Sequence, residues 1–110
     1  MSSSVLEKIS EVKVVTQPGC QPCKATLRRL GVQIAGGSIV LSSVEEASAK
    51  LGYKITILDT SSAERGEEAR ELAAQLGYMS APVVAVFDGE GNIIEHWSGF
   101  SPSKLDVIDN

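Results

Sequence analysis

The chain has 110 residues, enough for one domain with an ordinary hydrophobic core. Its 43% hydrophobic residues beside 22% charged ones are the composition of a soluble globular protein, and a net charge of -4 with no basic cluster argues against nucleic acid as a partner. No apolar run is long enough to cross a membrane.

Met1–Ser10 lacks the charged start, apolar core and small-residue cleavage site of a secretory signal. Ser4-Val5-Leu6-Glu7 has the form of a capping box, which predicts either one helical turn over Val5–Ile9 or a loose tail. Val12–Thr16 reads as the first strand, with Val12 and Val14 on one face and Lys13 and Val15 on the other. Pro18 and Gly19 break that strand and open a loop, Gln17-Pro18-Gly19-Cys20-Gln21-Pro22-Cys23. A helix is expected from about Gln21 to Leu30, with Gly31 at its C′ position. Cys23, Leu27 and Leu30 share one side of it, which suits burial, while Lys24 and Arg28 lie exposed on another. Cys23 is therefore expected inside and Cys20 at the surface.

A strand that delivers two thiols onto the first turn of a helix is the basis of thiol–disulfide chemistry. Unpaired N–H groups and the positive end of the helix dipole stabilise a thiolate there. In such Cys-x-x-Cys sites the first thiol's pKa falls from about 8.5 to roughly 3.5–7.5. The spacing lets the second Cys reach the first and close a small disulfide loop. Two other readings stand beside this one. A Cys-x-x-Cys pair can be half of a zinc site, but the chain offers only two Cys and the single His96 where four ligands are usual, unless a dimer supplies both halves. A purely structural bridge would constrain the unfolded chain little across so short a loop. Two Cys in this motif, without an export signal, fit a reducing cytosol and predict a cytoplasmic protein.

Val32–Leu41 contains Gly36–Gly37 and no clear period. Ser42-Ser43-Val44-Glu45 offers a second capping box, and Glu45–Leu51 is expected to continue as a helix ending at Gly52, with Val44, Ala47 and Leu51 as its apolar face. Lys54–Asp59 alternates Ile55 and Ile57 against Thr56 and Leu58 and is the second strand; Thr60–Ala63 is a turn. An amphipathic helix follows from about Arg65 to Leu76, its stripe Ala69, Leu72, Ala73 and Leu76, its end Gly77. Both helical stretches end in Leu-Gly-Tyr, which is shared helix-ending chemistry and not a functional repeat. Val83–Phe87 is the third strand, residues 88–92 a hairpin connection and Ile93–Trp97 the fourth strand. Asp88-Gly89-Glu90 lacks the length and ligand spacing of a calcium loop. Ser101 and Pro102 suit the N-cap and first residue of a last helix that Leu105 and Ile108 pack down. A βαβ unit followed by a hairpin and a helix predicts an α/β fold, a four-stranded mixed sheet flanked by helices.

That order, with Cys-x-x-Cys after the first strand and Pro before the third, resembles the thioredoxin superfamily in its compact glutaredoxin form. Three segments carry a closer resemblance to NrdH-redoxins: PGCQPCKAT at Pro18–Thr26, LGYMSAPVV at Leu76–Val84 and HWSGFSP at His96–Pro102. The resemblance implies one thioredoxin-fold domain over residues 1–110, with an inserted helical segment at about 33–52. It implies Cys20 as nucleophile, Cys23 as resolving thiol and Pro82 as a cis-proline that presents the Ala81 backbone to a substrate strand. Trp97, Ser98, Gly99 and Phe100 would form a substrate-binding loop, although a buried strand-end aromatic, a turn and a core anchor are equally good descriptions of Trp97, Gly99 and Phe100. His96 is expected exposed, with no role as a base. By this resemblance no bound cofactor is required, thioredoxin reductase is the reductant, and class Ib ribonucleotide reductase or another disulfide-bearing protein is the acceptor. Glutathione is the alternative reductant, and a non-catalytic binding module the alternative class. The chain departs from the family pattern at Gln17, where a Lys is usual and would make Cys20 more acidic, and at Ser101 and Ser103, where Arg and Asp are usual.

Overall fold

The structure, a computed structural model, describes residues 8–109. The capping box at Ser4–Glu7 lies outside the described residues. Most of the turn expected over Val5–Ile9 also lies outside them; Lys8 is helical and Ile9 begins the first strand. β1 runs Ile9–Thr16, three residues longer at its start than the sequence pattern suggested. It is followed by α1 (Gln21–Arg29), β2 (Ile34–Ala35), β3 (Ser38–Ile39), α2 (Leu41–Leu51), β4 (Lys54–Asp59), α3 (Gly66–Leu76), β5 (Val83–Asp88), β6 (Ile93–Ser98) and α4 (Pro102–Ile108).

Four strands form the main sheet in the order β4-β1-β5-β6. β1 pairs parallel with β4 and antiparallel with β5, and β5 pairs antiparallel with β6, so the sheet is mixed as expected. The strand alternation decides which layer each residue joins. Val12, Val14, Ile55, Val84, Val86 and Trp97 pack on one face against residues of α1, α2 and α4. Val15, Leu58, Val83 and Ala85 pack on the other face against Ala69 and Leu72 of α3. Val12, Val14 and Leu58 are fully buried, as a central strand and its parallel partner require.

α1 ends in a Schellman arrangement. Val32 N–H donates to the Leu27 carbonyl at 2.9 Å and Gly31 N–H to the Arg28 carbonyl at 3.0 Å. The stretch read as patternless is a small antiparallel ribbon, β2 with β3, turned by Gly36 and Gly37 at φ 59° and 81°. A two-residue turn with both φ positive is the hairpin turn that favours a glycine pair. α2 begins at Leu41, two residues before the Ser43 that a Ser42–Glu45 capping box would make its first helical residue. Val40 takes the N-cap position without a side-chain bond. Ser43 is buried and its hydroxyl is used elsewhere: Oγ donates to the Val40 carbonyl at 2.6 Å and accepts Gln33 N–H at 2.8 Å, tying the ribbon to the helix. Gly52, in the left-handed region, ends α2, and Gly77 ends α3 in the same way. In the β5–β6 connection Asp88 Oδ1 accepts the Glu90 and Asn92 N–H groups, both at 2.9 Å, which uses that carboxylate as a turn cap. Ser101 holds the N-cap position of α4 but makes no side-chain cap bond.

α4 is held from inside. Leu105 and Ile108 are fully buried, and buried Tyr53 donates its hydroxyl to the Ile108 carbonyl at 2.8 Å. Burial pushes the Tyr53 hydroxyl well above the ordinary tyrosine range, so it stays a donor. Leu105→Ala leaves a cavity between α4 and the sheet, and urea denaturation should show a loss of about 2–5 kcal/mol with an unchanged m-value.

Candidate functional site

The site forms at the carboxyl ends of the two parallel strands. β1 ends at Thr16 and β4 at Asp59, which face each other in register. Thr16 Oγ1 donates to Asp59 Oδ2 at 3.4 Å, and Thr60 N–H to the Thr16 carbonyl at 2.9 Å. From Thr16 the chain passes through exposed Gln17, Pro18 and Gly19 and turns into α1. Gly19 has φ 70°, the left-handed conformation that lets the loop reverse immediately before Cys20.

Cys20 is the N-cap of α1. Its sulfur occupies the position that a Ser or Asp oxygen usually holds and accepts the Cys23 N–H at 3.2 Å. Pro22 falls among the first helical residues, where its missing N–H costs nothing. No acidic residue lies in the first turn, and Arg28 and Arg29 lie in the last, so the helix field at Cys20 is not opposed by a neighbouring carboxylate on the same turn. The two cysteines are joined as a disulfide, their Cα atoms 5.2 Å apart. Cys23 is buried, as its place beside Leu27 and Leu30 predicts. Cys20 is not the surface residue expected: only 7% of it is exposed, against 2% for Cys23. The N-cap geometry folds its side chain back over the helix end, and the Ala81 segment covers another side. Lys24, expected exposed, is half-buried; Arg28 is exposed.

Ala81–Pro82 is a cis peptide, and the Ala81 carbonyl oxygen lies 3.7 Å from Cys20 Sγ. The β1–β5 pairing explains the approach, because Val83 sits opposite Val15, one residue before the end of β1. Two cavities flank the Cys20 loop. One, of about 100 Å³, is bordered by Gln17, Cys20, Cys23 and Asp59, and by Ile34, Gly37 and Ile39 of the ribbon. The other, of about 210 Å³, is bordered by Gln17, Arg70, Tyr78, Met79, Ser80 and Ala81. Gln17 belongs to both.

Trp97, Ser98, Gly99 and Phe100 line neither of these cavities. Trp97 is a buried strand-end aromatic, with Lys104 Nζ 5.9 Å from its ring centroid and an indole N–H that has no hydrogen-bond partner among the described residues. Ser98 is half-buried at the end of β6. Gly99 is a turn residue at φ 88° whose N–H donates to the Pro82 carbonyl at 2.9 Å. Phe100 is 42% exposed and is not a core anchor. His96 is exposed, as expected. Gln21 and Pro22, on the first turn of α1, are exposed.

Sequence reasoning did not assign Asp59, Arg70 or the ribbon to this region. For Asp59 a signal existed: open α/β sheets gather sites at the carboxyl ends of parallel strands. For the ribbon it was the Gly-Gly turn. Among the described residues no three His, Cys, Asp or Glu side chains are gathered to hold a metal ion, and no helix is long and apolar enough to cross a membrane.

No protein-family model matches the sequence, and no curated protein matches it. Solved structures do match. The glutaredoxin-like protein NrdH-redoxin from Escherichia coli, described as having a thioredoxin-like activity profile, superposes with a TM-score of 0.52 at 22% identity, over 87% of this chain and 91% of that one. Thioredoxin f from spinach chloroplast gives 0.57 at 19% identity, over 89% and 70%. A thioredoxin-fold protein from Helicobacter pylori gives 0.60 at 16% identity, over 93% and 68%. The chain has the thioredoxin fold.

The cap geometry gives an expectation for the reduced protein. Cys20, whose sulfur accepts an amide proton and is the less buried of the two, should be alkylated by iodoacetamide at neutral pH at least about tenfold faster than Cys23, which has neither advantage. Peptide mapping after partial alkylation checks this; equal labelling would contradict it.

Proposed function

We propose that this thioredoxin-fold chain is a thiol–disulfide oxidoreductase that reduces protein disulfides through Cys20 and Cys23. The observation that carries the reading is the position of Cys20 Sγ, which caps a helix, accepts the Cys23 amide and lies 3.7 Å from the Ala81 carbonyl. The first two features stabilise a thiolate. The third puts a stretch of polypeptide backbone beside it, against which a substrate strand can pair.

The cycle follows from that arrangement. In the reduced protein the Cys20 thiolate attacks one sulfur of a substrate disulfide. A Cys20–substrate disulfide forms, and the other substrate sulfur leaves as a thiolate and takes up a proton. Cys23 then loses its proton and attacks Cys20 Sγ. The Cys20–Cys23 disulfide forms, and the second substrate sulfur leaves. Two electrons have passed from the protein dithiol to the substrate, and an external reductant must return them. The protein groups suffice for these steps without a bound cofactor.

The sequence resemblance carries the reading one step further, to an NrdH-like donor reduced by thioredoxin reductase that serves ribonucleotide reductase in the cytoplasm. A second reading has its own observation. The 210 Å³ cavity beside Ala81 includes Arg70, which is exposed and donates to the Thr60 carbonyl at 2.7 Å, with no carboxylate partner among the described residues. A guanidinium there suits the carboxylate of a small thiol peptide, and glutathione would then be the reductant.

Two experiments test these readings. With a protein disulfide as substrate, Cys20→Ser should abolish turnover and trap nothing, whereas Cys23→Ser should accumulate a mixed disulfide, visible on non-reducing gels. Equal trapping by both variants would reverse or remove the assigned order. The electron source is decided by supplying NADPH with thioredoxin reductase, or NADPH with glutathione and glutathione reductase. The NrdH-like reading expects faster reduction by the first. Turnover with glutathione alone would promote the second reading and leave the Cys20/Cys23 chemistry in place.

A further inference from the structure

The strip Met79–Ala81, which the preceding reading makes the docking backbone, is held in an uncommon way. No backbone–backbone hydrogen bond engages Met79, Ser80 or Ala81 among the described residues. Its flanks are anchored, since Tyr78 N–H donates to the Ala73 carbonyl and Gly99 N–H to the Pro82 carbonyl, both at 2.9 Å. Between those anchors the contacts come from side chains of β6. Alternation puts His96 and Ser98, paired with Ala85 and Val83, on the side of the sheet that α3 covers, and Trp97 on the other. The chain descending from α3 to β5 crosses that side. There Tyr78 Oη and His96 Nδ1 lie 2.8 Å apart, the two rings meeting edge to face with centroids 5.6 Å apart. Ser98 Oγ donates to the Ser80 carbonyl at 3.0 Å and lies 3.4 Å from Ser80 Oγ.

Among the described residues the Met79, Ser80 and Ala81 N–H groups and the Met79 carbonyl have no partner and are open to an incoming strand, but ordering the strip at the moment of docking would cost conformational entropy. We propose that Tyr78, His96 and Ser98 are positioning residues, a side-chain brace from β6 that holds Met79–Ala81 extended beside Cys20 before substrate arrives. The proposal rests on the redox reading and adds a substrate class to it. The brace matters for disulfides embedded in an extended polypeptide, which must pair with the strip. It does not matter for small disulfides, which reach Cys20 without pairing. Met79 fits this arrangement: its side chain is fully exposed.

The test uses the full chain with two substrates, insulin and the small aromatic disulfide 5,5′-dithiobis(2-nitrobenzoate). Tyr78→Phe removes the hydroxyl and keeps the ring packing. Its KM for insulin should rise roughly 3- to 10-fold, the effect of one side-chain hydrogen bond, with kcat and the rate on the small disulfide both within about twofold of the parent. His96→Ala should do the same. The double variant should be no worse than either single one, because both remove the same contact. Ser98→Ala should raise the insulin KM independently. Urea denaturation of each variant sets the fraction folded under assay conditions. An unchanged insulin KM overturns the brace. So does a parallel loss on both substrates in proportion to the unfolded fraction, since a merely structural role predicts that. In either of those cases, retained reduction of the small disulfide leaves the redox reading standing. If the unaltered protein reduces neither substrate, the redox reading fails and the brace fails with it.

Discussion

The candidate site depends on one constraint, the clamping of β1 between β4 and β5. Val12 and Val14 are sealed into the layer under α1, α2 and α4, and Val15 into the layer under α3. A strand buried on both faces and bonded on both edges has one register, because a slip of one residue would exchange its two faces. That register sets three things side by side at the end of β1. The cysteine loop leaves from Thr16, Asp59 stands opposite Thr16, and Pro82 precedes the Val83 that pairs with Val15. Segments separated by about sixty residues in the chain meet there without any contact of their own having to bring them together.

On that frame the local chemistry needs few parts. Gly19 turns the chain, Cys20 caps the helix with sulfur in place of oxygen, and the Cys23 amide meets that sulfur. The interaction holds the helix end in the disulfide form. When the bridge is opened, the same amide is in place to meet a thiolate, so the feature that stabilises the fold locally also favours the reactive state. The ribbon β2–β3 and the loop before Pro82 stand on different sides of this centre, one bordering the cavity that contains Cys23 and the other approaching Cys20. The surroundings of the two cysteines are therefore shaped by two elements that differ in kind. The ribbon packs Ile34 and Ile39 onto the main core, whereas the Met79–Ala81 strip, between its anchored flanks, is held among the described residues by side-chain contacts.

Much of this was legible in the sequence, because the residues concerned obey strong local rules. The strand alternation at Val12–Val15 and Lys54–Asp59, the Cys23/Leu27/Leu30 spacing, and the glycines ending α2 and α3 each have one physical meaning, and the structure agrees with them. The failures have identifiable causes. The spacing of Ser42 to Glu45 fits a cap, but the helix begins one residue before Ser42, and the hydroxyl put to use is that of buried Ser43, which meets Gln33 and Val40. Two-residue strands are too short to show a period, so the ribbon was signalled only by Gly36–Gly37. Phe100 has the size of a core anchor, but its exposure depends on where Gly99 turns the chain, which no local pattern specifies. The Tyr78–His96 contact joins the α3–β5 connection to β6, eighteen residues apart, and no local sequence pattern signals it.

The central claim is that the two cysteines act as a two-electron donor to a protein disulfide. The most direct measurement is a stoichiometric transfer without any recycling system. Fully reduced protein, freed of small thiols and kept anaerobic, is mixed with excess insulin, and the Cys20 and Cys23 thiols are followed by quenching with a mass-tagged alkylating agent. The account predicts that both thiols disappear together, that about one insulin disulfide opens for each protein molecule consumed, and that the product is the intramolecular Cys20–Cys23 bridge. Retention of both thiols in the presence of excess insulin, under conditions where a chemical dithiol opens it, would contradict the account.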